Sequence, residues 1–275
     1  MCRITKLVRY KTMYTALTIA GSDSGGGAGI QADIKTMTMH GVFATSVITA
    51  LTAQNTTGVK SIREVDEEFL KDQLDCVFTD IRPDAVKTGM IPNSMLIRTA
   101  AQRLKFYEAK NVVVDPVMVA TSGASLMQSN ALDAMKEQLL PLATVITPNI
   151  PEAEALTGKE IKGEASVEEA ARFLYETFGC AVLIKGGHGI IDANDYLYGS
   201  DGGVWYRTAR VDNPNTHGTG CTLSSAIAAN LALGHDLKSA VQNAKDYLTK
   251  ALKDGLDLGR GSGPLNHMYG LKTEP

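Results

Sequence analysis

The nine residues from Asn215 to Leu223, NTHGTGCTL, combine the residue types of an anion-binding turn. Gly218 and Gly220 flank Thr219, and apolar residues recur four apart from Leu223 onward, which predicts that a helix begins here. A glycine-rich turn at a helix N-terminus presents unpaired backbone N–H groups and the positive end of the helix dipole. The stretch therefore predicts a site for phosphate, or for the charge that develops on a transferring phosphoryl group.

Cys221 lies in the first turn of this predicted helix. The field of the helix N-terminus favours a thiolate over a thiol at this position. The local sequence allows a second interpretation, a plain helix start with glycines for close packing and an inert cysteine. The rest of the chain must decide between the two.

A second glycine-rich stretch follows the first predicted strand, TALTIA at residues 15–20. Five glycines occur in the nine residues GSDSGGGAG, from Gly21 to Gly29. The spacing fits neither a P-loop nor a GxGxxG fingerprint, and Asp23 stands where a GxSxG elbow has its serine. Glycines let the backbone approach a ligand closely. A merely flexible loop would leave Asp23 and Asp33 without an explanation.

Short apolar strands alternate along the chain with amphipathic helices, a pattern typical of a parallel sheet covered on both faces. In open α/β sheets the ligand binds at the carboxyl ends of the strands. Residues 194–208 predict an antiparallel hairpin with an Asp201-Gly202-Gly203 turn at the sheet edge. Polar residues cluster just after the predicted strands, at Asp23, Gln54, Asp115, Asn149, Glu152 and Lys185.

Helix boundaries are predicted from capping residues. Asp66 and Asn93 are expected to cap two helices, and Asp236 to start the last one, which runs to about Lys253. Ser166 with Glu169 three residues later predicts a capping box for a helix that ends at Gly179.

The composition excludes several classes of partner. With 27 basic and 30 acidic residues the net charge is -3, which gives no support for a nucleic-acid or anionic-membrane partner. The four cysteines are widely spaced, which favours thiols in a reducing, cytoplasmic compartment. We expect a single domain over residues 15–275, preceded by an N-terminal extension, residues 1–14, that need not be ordered. Met1 and Met13 both stay open as the start.

Taken in order, several motifs resemble those of the hydroxymethylpyrimidine/phosphomethylpyrimidine kinases of thiamine biosynthesis, in the ribokinase-like superfamily. The resemblance runs from about Ala16 to the last helix, and the extension before Thr15 departs from it. GTGC replaces the GxGD of the wider superfamily but agrees with this branch. The motifs are AGSDSGGGAGIQADIKT, VITALTAQNTTGV, KTGM, VVVDPVM, TPNIPEAEALTG, IKGGH and NTHGTGCTLSSAIAA.

The resemblance implies a ribokinase-like α/β fold, with a mostly parallel central sheet, helices on both faces and a small antiparallel edge hairpin. It implies ATP-dependent phosphorylation of 4-amino-5-hydroxymethyl-2-methylpyrimidine and of its monophosphate, which yields the pyrophosphate. Gly218, Thr219 and Gly220 would form the anion hole for the γ-phosphoryl group. Cys221 would take the position where relatives hold an aspartate base. A homodimer is also implied.

The resemblance also implies residues that bind Mg²⁺ and ATP, and residues that bind the pyrimidine. Asn149 and Glu152 would hold Mg²⁺ largely through water, which suits a cation that sheds its hydration shell reluctantly. Lys185 would neutralise the ATP phosphates, and Asp115 would lie close to the metal and the phosphates.

The pyrimidine pocket would contain Asp33, Gln54, Met90 and the loop at Gly21. An amide such as Gln54 can donate and accept hydrogen bonds at once, as an aminopyrimidine requires. His217 receives no role from this interpretation.

Each residue also has a simpler interpretation. Lys185 could be a solvated charge, Glu152 a first-turn acid that favours its helix, and Asp115 a turn former before Pro116. Met90 could be an ordinary core residue.

Two alternative functions stay open. A pyridoxal/pyridoxine kinase of the related type shares the GTGC motif and the glycine loop, although Ala53-Gln54-Asn55-Thr56 is more similar to the pyrimidine branch. A catalytically silent small-molecule sensor on the same fold is disfavoured, because every charged element of phosphoryl transfer is retained.

Overall fold

The computed structural model describes residues 13–118, 130–186 and 193–271. Within them, nine strands form one sheet in the order β3-β2-β1-β4-β5-β6-β7-β8-β9. The strands are β1 (Thr15–Asp23), β2 (Phe43–Asn55), β3 (Gly58–Glu64), β4 (Ala85–Thr88), β5 (Val112–Val114), β6 (Val145–Ile146), β7 (Ala181–Lys185), β8 (Asp195–Gly199) and β9 (Gly202–Tyr206). The six strands that run from β2 to β7 across the sheet are parallel, and β3, β8 and β9 pair antiparallel at the two edges.

Helices cover both faces of the sheet. They are α1 (Gly29–Met39), α2 (Glu67–Asp80), α3 (Ser94–Phe106), α4 (Ala131–Ala134), α5 (Ile150–Thr157), α6 (Glu164–Phe178), α7 (Thr219–Ala232) and α8 (Leu237–Lys253). A π-helical turn, Met135–Leu139, and a 3₁₀ turn, Leu140–Leu142, continue α4. None of the described helices is long and apolar enough to cross a membrane.

The core is divided into two apolar layers by the sheet. Because successive side chains of a strand point to opposite faces, Leu17 and Ile19 of β1 pack in the layer that includes α2, α3 and α6. Ala16 of β1 packs in the other layer, with α1, α7 and α8. The predicted α/β architecture with an antiparallel edge hairpin is thereby confirmed.

Helix α7 is more deeply buried than its sequence pattern predicts. The recurrence of Leu223, Ile227 and Leu231 indicates a one-sided apolar stripe. In the structure every residue from Thr222 to Ala232 is buried, because α7 packs against the sheet and also against α1 and α8. A helix enclosed on all sides can hold its N-terminus in a fixed position relative to the strand ends.

Most predicted helix caps are confirmed. The carboxylate of Asp66 accepts from the backbone of Phe69, and Asn93 and Asp236 cap α3 and α8 in the same way.

The capping box predicted at Ser166 is wrong. Gly163, at a φ of +78°, starts α6 three residues earlier, so Ser166 lies inside the first turn and donates to the carbonyl oxygen of Gly163. A capping box is formed instead by Asn149 and Glu152, at the start of α5.

The hairpin expected within 194–208 is β8–β9. Its loop is Ser200 and Asp201 rather than the predicted Asp201-Gly202-Gly203, because Gly202 and Gly203 already pair with β8. Strand β3 was not predicted from the sequence. It is an edge strand whose side chains include Lys60, Arg63 and Glu64, so it shows no apolar alternation. Since β3 pairs with the end of β2, Gln54 lies within a strand rather than after one.

Residues 1–12, most of the predicted N-terminal extension, lie outside the described residues. The expectation of one domain over 15–275 stays a prediction.

Candidate active site

The N-terminus of α7 lies against the first glycine-rich loop. Gly218 caps the helix at a φ of +84°, and a Cβ there would clash with the carbonyl oxygen of Gly27. The first intrahelical bond runs from the Thr222 N–H to the Gly218 carbonyl, at 2.8 Å. Of the predicted anion hole, Gly218 is the N-cap, and the Thr219 N–H already donates to the Thr216 carbonyl oxygen at 3.3 Å. The candidate anion donors are therefore the N–H groups of Gly220 and of Cys221, which follows it. The two loops predicted from the sequence therefore form one surface.

An ion pair lies directly at this helix N-terminus. The ammonium nitrogen of Lys185 is 2.8 Å from Asp115 Oδ1. A Cβ on Gly220 would lie 3.4 Å from Lys185 Nζ and 3.6 Å from Asp115 Oδ2. Ser224 of α7 and Thr147 also donate to the Asp115 carboxylate, at 3.3 and 3.2 Å. The structure thus brings Lys185 and Asp115 to the predicted anion hole.

Asp115 is an anion held among cations. Burial alone would raise the pKa of its carboxyl, but Lys185 and Lys87 and the hydrogen bond from Lys185 hold that pKa below its ordinary value. Lys185 is 13% exposed at its side chain, so a phosphate could reach it.

Glu152 has two environments at once. It forms the capping box of α5, in which its carboxylate accepts from the Asn149 N–H and the Asn149 amide oxygen accepts from the Glu152 N–H, both at 2.8 Å. Its Oε2 also lies 3.9 Å from Lys185 Nζ. Burial raises the pKa of Glu152 to about 6, although the charge of Lys185 opposes this, and the Asp115 carboxylate adds to the rise.

The fit of these residues to Mg²⁺ depends on their chemistry. Glu152 and Asp115 supply carboxylate oxygens that lie 3.9 and 2.8 Å from Lys185 Nζ. Among residues 13–118, 130–186 and 193–271, no group of three acidic, histidine or cysteine side chains is arranged to hold a metal. Mg²⁺ keeps several waters and binds proteins through one or two carboxylates plus substrate phosphates, so this sparse set fits it.

The thiol of Cys221 does not have the pKa that its helix position predicts. Burial raises that pKa to about 11, and although Lys87 lowers it, the nearby carboxylates Asp33 and Asp115 raise it further. The expectation that the helix N-terminus favours the thiolate is therefore wrong. Loss of solvation is the largest cause of the raised pKa, and the two negative neighbours add to it.

Asp33 is fully buried and is bound to other protein groups. Both of its oxygens lie within 2.9 Å of Lys87 Nζ, and Thr18 donates to Oδ2 at 2.6 Å. Burial lowers the pKa of Lys87, but the charge of Asp33 raises it above its ordinary value, so the pair is ionic. The resemblance implies a place for Asp33 in the pyrimidine pocket, yet in the structure this carboxylate is occupied by Lys87. Its role toward substrate stays a prediction.

Lys87 was missed by sequence reasoning. A lysine inside the short buried strand AVKT was the available signal, because a buried charge requires a partner.

The other predicted pocket residues come together in part. A Cβ on Gly21 would lie 2.5 Å from Met90 Cε, so these two positions are in contact. Met90 is 8% exposed, and its carbonyl accepts from Thr49 at 2.7 Å. Gln54 lines a cavity of about 370 Å³ between the β2–β3 turn and the segment around Gly261, and neither Gly21 nor Met90 is among its lining residues.

The second residue missed is His217, which was given no role. Its Nε2 lies 2.9 Å from Asp23 Oδ2 and 3.3 Å from Gln54 Nε2. Burial alone would raise the pKa of Asp23, but hydrogen bonds from His217 and from the Ala28 and Gly25 N–H groups lower it. The sequence feature that could have indicated His217 was Asp23, which lies among five glycines. The charge of a buried aspartate requires hydrogen-bond donors.

A mostly parallel sheet that sets a glycine-capped helix N-terminus against a lysine–aspartate pair defines a small-molecule kinase of ribokinase-like fold. A family model described as phosphomethylpyrimidine kinase matches residues 23–266, and the chain belongs to this family.

Two relatives share about half of their aligned residues with this chain. The chain is 48% identical over 256 residues to the hydroxymethylpyrimidine/phosphomethylpyrimidine kinase of Haemophilus influenzae, with 91% of this chain and 95% of that protein covered. It is 52% identical over 257 residues to the thiamine biosynthesis bifunctional protein ThiED of Geobacter sulfurreducens. That match covers 92% of this chain and 52% of the bifunctional protein, so the chain spans about half of that relative's length.

Solved structures share the fold at substantial identity. The ADP complex of Bacillus subtilis pyridoxal kinase superimposes with a TM-score of 0.87 at 38% identity, covering 94% of this chain and 99% of that one. The phosphomethylpyrimidine kinase of Clostridium difficile superimposes with a TM-score of 0.79 at 43% identity, covering 87% and 100%.

Proposed function

We propose that this chain transfers the γ-phosphoryl group of ATP to 4-amino-5-hydroxymethyl-2-methylpyrimidine, and then to the resulting monophosphate to give the pyrophosphate. Family membership and the names of the full-length relatives support this substrate. The observation that carries the proposal is the position of Lys185 and Asp115 at the N-terminus of α7. The N-terminus of α7 and the ammonium group of Lys185, two groups that can bind a phosphoryl anion, meet there.

The catalytic contribution of these residues is positioning and charge neutralisation. The N–H groups of Gly220 and Cys221 and the ammonium of Lys185 stabilise negative charge on the transferring group. Asp115 keeps Lys185 charged and oriented through a 2.8 Å ion pair.

Cys221 accepts the substrate hydroxyl proton. The thiolate is the form that takes up this proton and becomes the thiol, so the raised pKa limits the fraction of the chain that can react at neutral pH.

We propose Mg²⁺ as the cation, held by Glu152, largely through water, with Asn149 beside it. When bound, the ion neutralises phosphate charge. The capping box with Asn149 fixes the position of the Glu152 carboxylate. This carboxylate is the group that would bind the cation.

The test is release of ADP by the purified chain with Mg-ATP and, in separate reactions, the aminopyrimidine alcohol, its monophosphate and pyridoxal. We expect turnover of both pyrimidines and a product carrying two phosphates from the alcohol. No ADP release with either pyrimidine would contradict the proposal.

Pyridoxal phosphorylation is the second candidate. It is supported by the superposition on pyridoxal kinases, including one from Staphylococcus aureus in complex with pyridoxal at a TM-score of 0.87. Turnover of pyridoxal at a higher kcat/KM than the pyrimidine alcohol would favour it.

We also propose a cytoplasmic homodimer. The described cysteines Cys76, Cys180 and Cys221 are free thiols, which supports a reducing compartment. Large apolar side chains, including Leu51 of β2 and Phe69 of α2, are more than half exposed on two elements that contact each other. Such side chains are typical of an interaction surface. Light scattering at micromolar concentration should give twice the mass of 29.3 kDa, and a monomer would contradict the dimer.

A further inference from the structure

Three polar side chains meet at a single nitrogen atom. His217 Nε2 lies 2.9 Å from the Asp23 carboxylate and 3.3 Å from the Gln54 amide nitrogen. Asp23 already accepts from the N–H groups of Gly25, Gly27 and Ala28, at 2.7 to 3.1 Å. An ionised carboxylate only accepts hydrogen bonds, so His217 Nε2 must carry the hydrogen that it donates to Asp23.

A nitrogen that donates to Asp23 cannot also accept from Gln54. Two donors would then face each other at 3.3 Å, which is unfavourable. Because the oxygen and nitrogen of an amide occupy nearly equal volumes, their placement is decided by the hydrogen-bond network. Turning the amide by 180° puts Gln54 Oε1 toward His217, where it accepts a share of the Nε2 hydrogen.

The other end of the amide gives the same answer independently. Thr52 Oγ1 lies 2.9 Å from the Ser22 carbonyl oxygen and 3.2 Å from Gln54 Oε1. A carbonyl only accepts, so the single hydroxyl hydrogen of Thr52 goes to Ser22. The Thr52 oxygen is then an acceptor, and it requires the NH₂ group of Gln54 opposite it.

The groups that fix the amide are themselves held rigidly. A Cβ on Gly27 would lie 2.5 Å from His217 Cδ2 and 3.2 Å from Pro264 Cβ, so the imidazole packs directly on the glycine loop. The backbone N–H of His217 donates to the Gly263 carbonyl oxygen at 3.2 Å, and the residue is 8% exposed. The backbone of Gln54 is bound to the Ser24 hydroxyl in both directions, at 2.7 and 2.9 Å.

We propose that His217 and Thr52 are positioning residues that lock the Gln54 amide in one orientation and so make it select the aminopyrimidine. The second hydrogen of the NH₂ group is left to donate to a ligand acceptor such as a ring nitrogen. The remaining lone pair of Oε1 can accept from an amine beside that nitrogen. A free amide can rotate to suit either polarity, whereas a locked amide discriminates. This inference rests on the proposed function, since only that function makes Gln54 a substrate contact.

The test compares two substrates, the aminopyrimidine alcohol and the same alcohol without its amine, in the full-length chain. The measured quantity is the ratio of their kcat/KM values. We expect His217→Phe, which keeps a ring but removes the donor, to reduce this ratio roughly five- to tenfold, as for one hydrogen bond lost. Thr52→Val should reduce it in the same direction. His217→Gln, which restores an N–H donor, should recover most of the ratio.

A double-mutant cycle separates the lock from a general structural effect. Gln54→Met removes the amide, so His217→Phe added to it should leave the ratio unchanged. An equal reduction with and without Gln54 would overturn the inference, as would an unchanged ratio in both His217→Phe and Thr52→Val. Melting temperatures identify a variant that fails to fold, and Thr52→Val, a nearly isosteric change, then provides the test. If the unsubstituted chain releases no ADP with the aminopyrimidine alcohol, the proposed function fails first and this inference fails with it.

Discussion

The thiol of Cys221 is surrounded by charges of both signs. Lys87 lowers its pKa, while Asp33, Asp115 and above all burial raise that pKa to about 11. At neutral pH Cys221 is therefore mostly a thiol, and the fraction of thiolate grows about tenfold with each pH unit until the pKa is reached. The residue that the sequence marks as the base is thus held mostly in its inactive protonation state.

For the unsubstituted chain we expect kcat/KM for the pyrimidine alcohol to rise as the pH increases above neutrality, because this quantity reports the pKa of the free enzyme and the thiolate is the form that accepts the proton. Cys221→Ala should lower kcat at pH 7 by roughly 10²–10⁴, the usual contribution of a general base. The variant should also lose the alkaline rise. Initial rates from pH 6 to 10 at saturating Mg-ATP, with the concentration of the pyrimidine alcohol varied, measure both effects. Parallel pH profiles for the two proteins would show that Cys221 does not act as the base.

Glu152 combines a structural and a chemical role that one substitution can separate. Glutamine at N3 also completes a capping box, so Glu152→Gln keeps the bond to the Asn149 N–H while it removes the charge. We expect the Mg²⁺ concentration for half-maximal rate to rise severalfold, with the melting temperature nearly unchanged. Glu152→Ala, the matched control, should lose about 1 kcal/mol of stability in addition. An unaltered Mg²⁺ titration in both variants would leave Glu152 as a cap alone.

At the scale of secondary-structure elements, the site depends on contact between two glycine-rich turns. Gly218 at the start of α7 meets the Gly27 carbonyl of the loop before α1, and no side chain fits between them. The same contact brings His217 onto Asp23. Two stretches separated by about 190 residues thereby build one anion-binding and substrate-facing surface.

Gly218→Ala should therefore disturb both the backbone conformation at residue 218 and the contact between the two turns. A positive φ costs about 1–2 kcal/mol for alanine, and the clash with Gly27 would also displace the helix N-terminus. We expect kcat to fall by about 10² or more, as for loss of an oxyanion-type donor.

Gly234→Ala is the matched control for this substitution. Gly234 follows the other end of α7 at a φ of +88°, and a Cβ added there would have nothing within 4 Å. It should show only the conformational cost, with kcat unchanged. Equal losses of kcat in both variants would argue against a specific role for the turn.

At the scale of the whole molecule, the sheet aligns charged residues along one face. Lys87 on β4, Asp115 after β5 and Lys185 at the end of β7 all point to the layer that contains α1 and α7. Together with Asp33 of α1 they form a row of alternating charges next to the N-terminus of α7. Alternation lets each buried charge offset the desolvation of its neighbour.

We expect Lys87→Met to reduce the free energy of unfolding by about 3–5 kcal/mol, because it leaves Asp33 as an unpaired buried charge. Lys87→Met combined with Asp33→Asn should recover a large part of this loss. Urea unfolding of Lys87→Met, Asp33→Asn, the double variant and the unsubstituted chain provides the comparison. A double variant as unstable as the sum of both single ones would contradict the paired arrangement.

Local sequence signals predicted most of the strands and helices and most of the charged residues of the candidate site. Alternating apolar strands and helices, the caps at Asp66, Asn93 and Asp236, and the glycines around Cys221 depend on interactions within a few residues, so the sequence alone predicts them. Strand β3 was not predicted, because an exposed edge strand shows no periodic pattern of apolar residues.

Only the tertiary structure decided which of these residues meet. The pairing of Lys87 with Asp33, and the joining of Asp23, His217 and Gln54, connect residues 54 to 194 positions apart. It also set the protonation state of Cys221, for which the sequence predicted the opposite direction. A pKa depends on solvation and on every charge within a few ångströms, and those neighbours come from α1, β4 and β5, distant stretches whose proximity exists only in the folded chain.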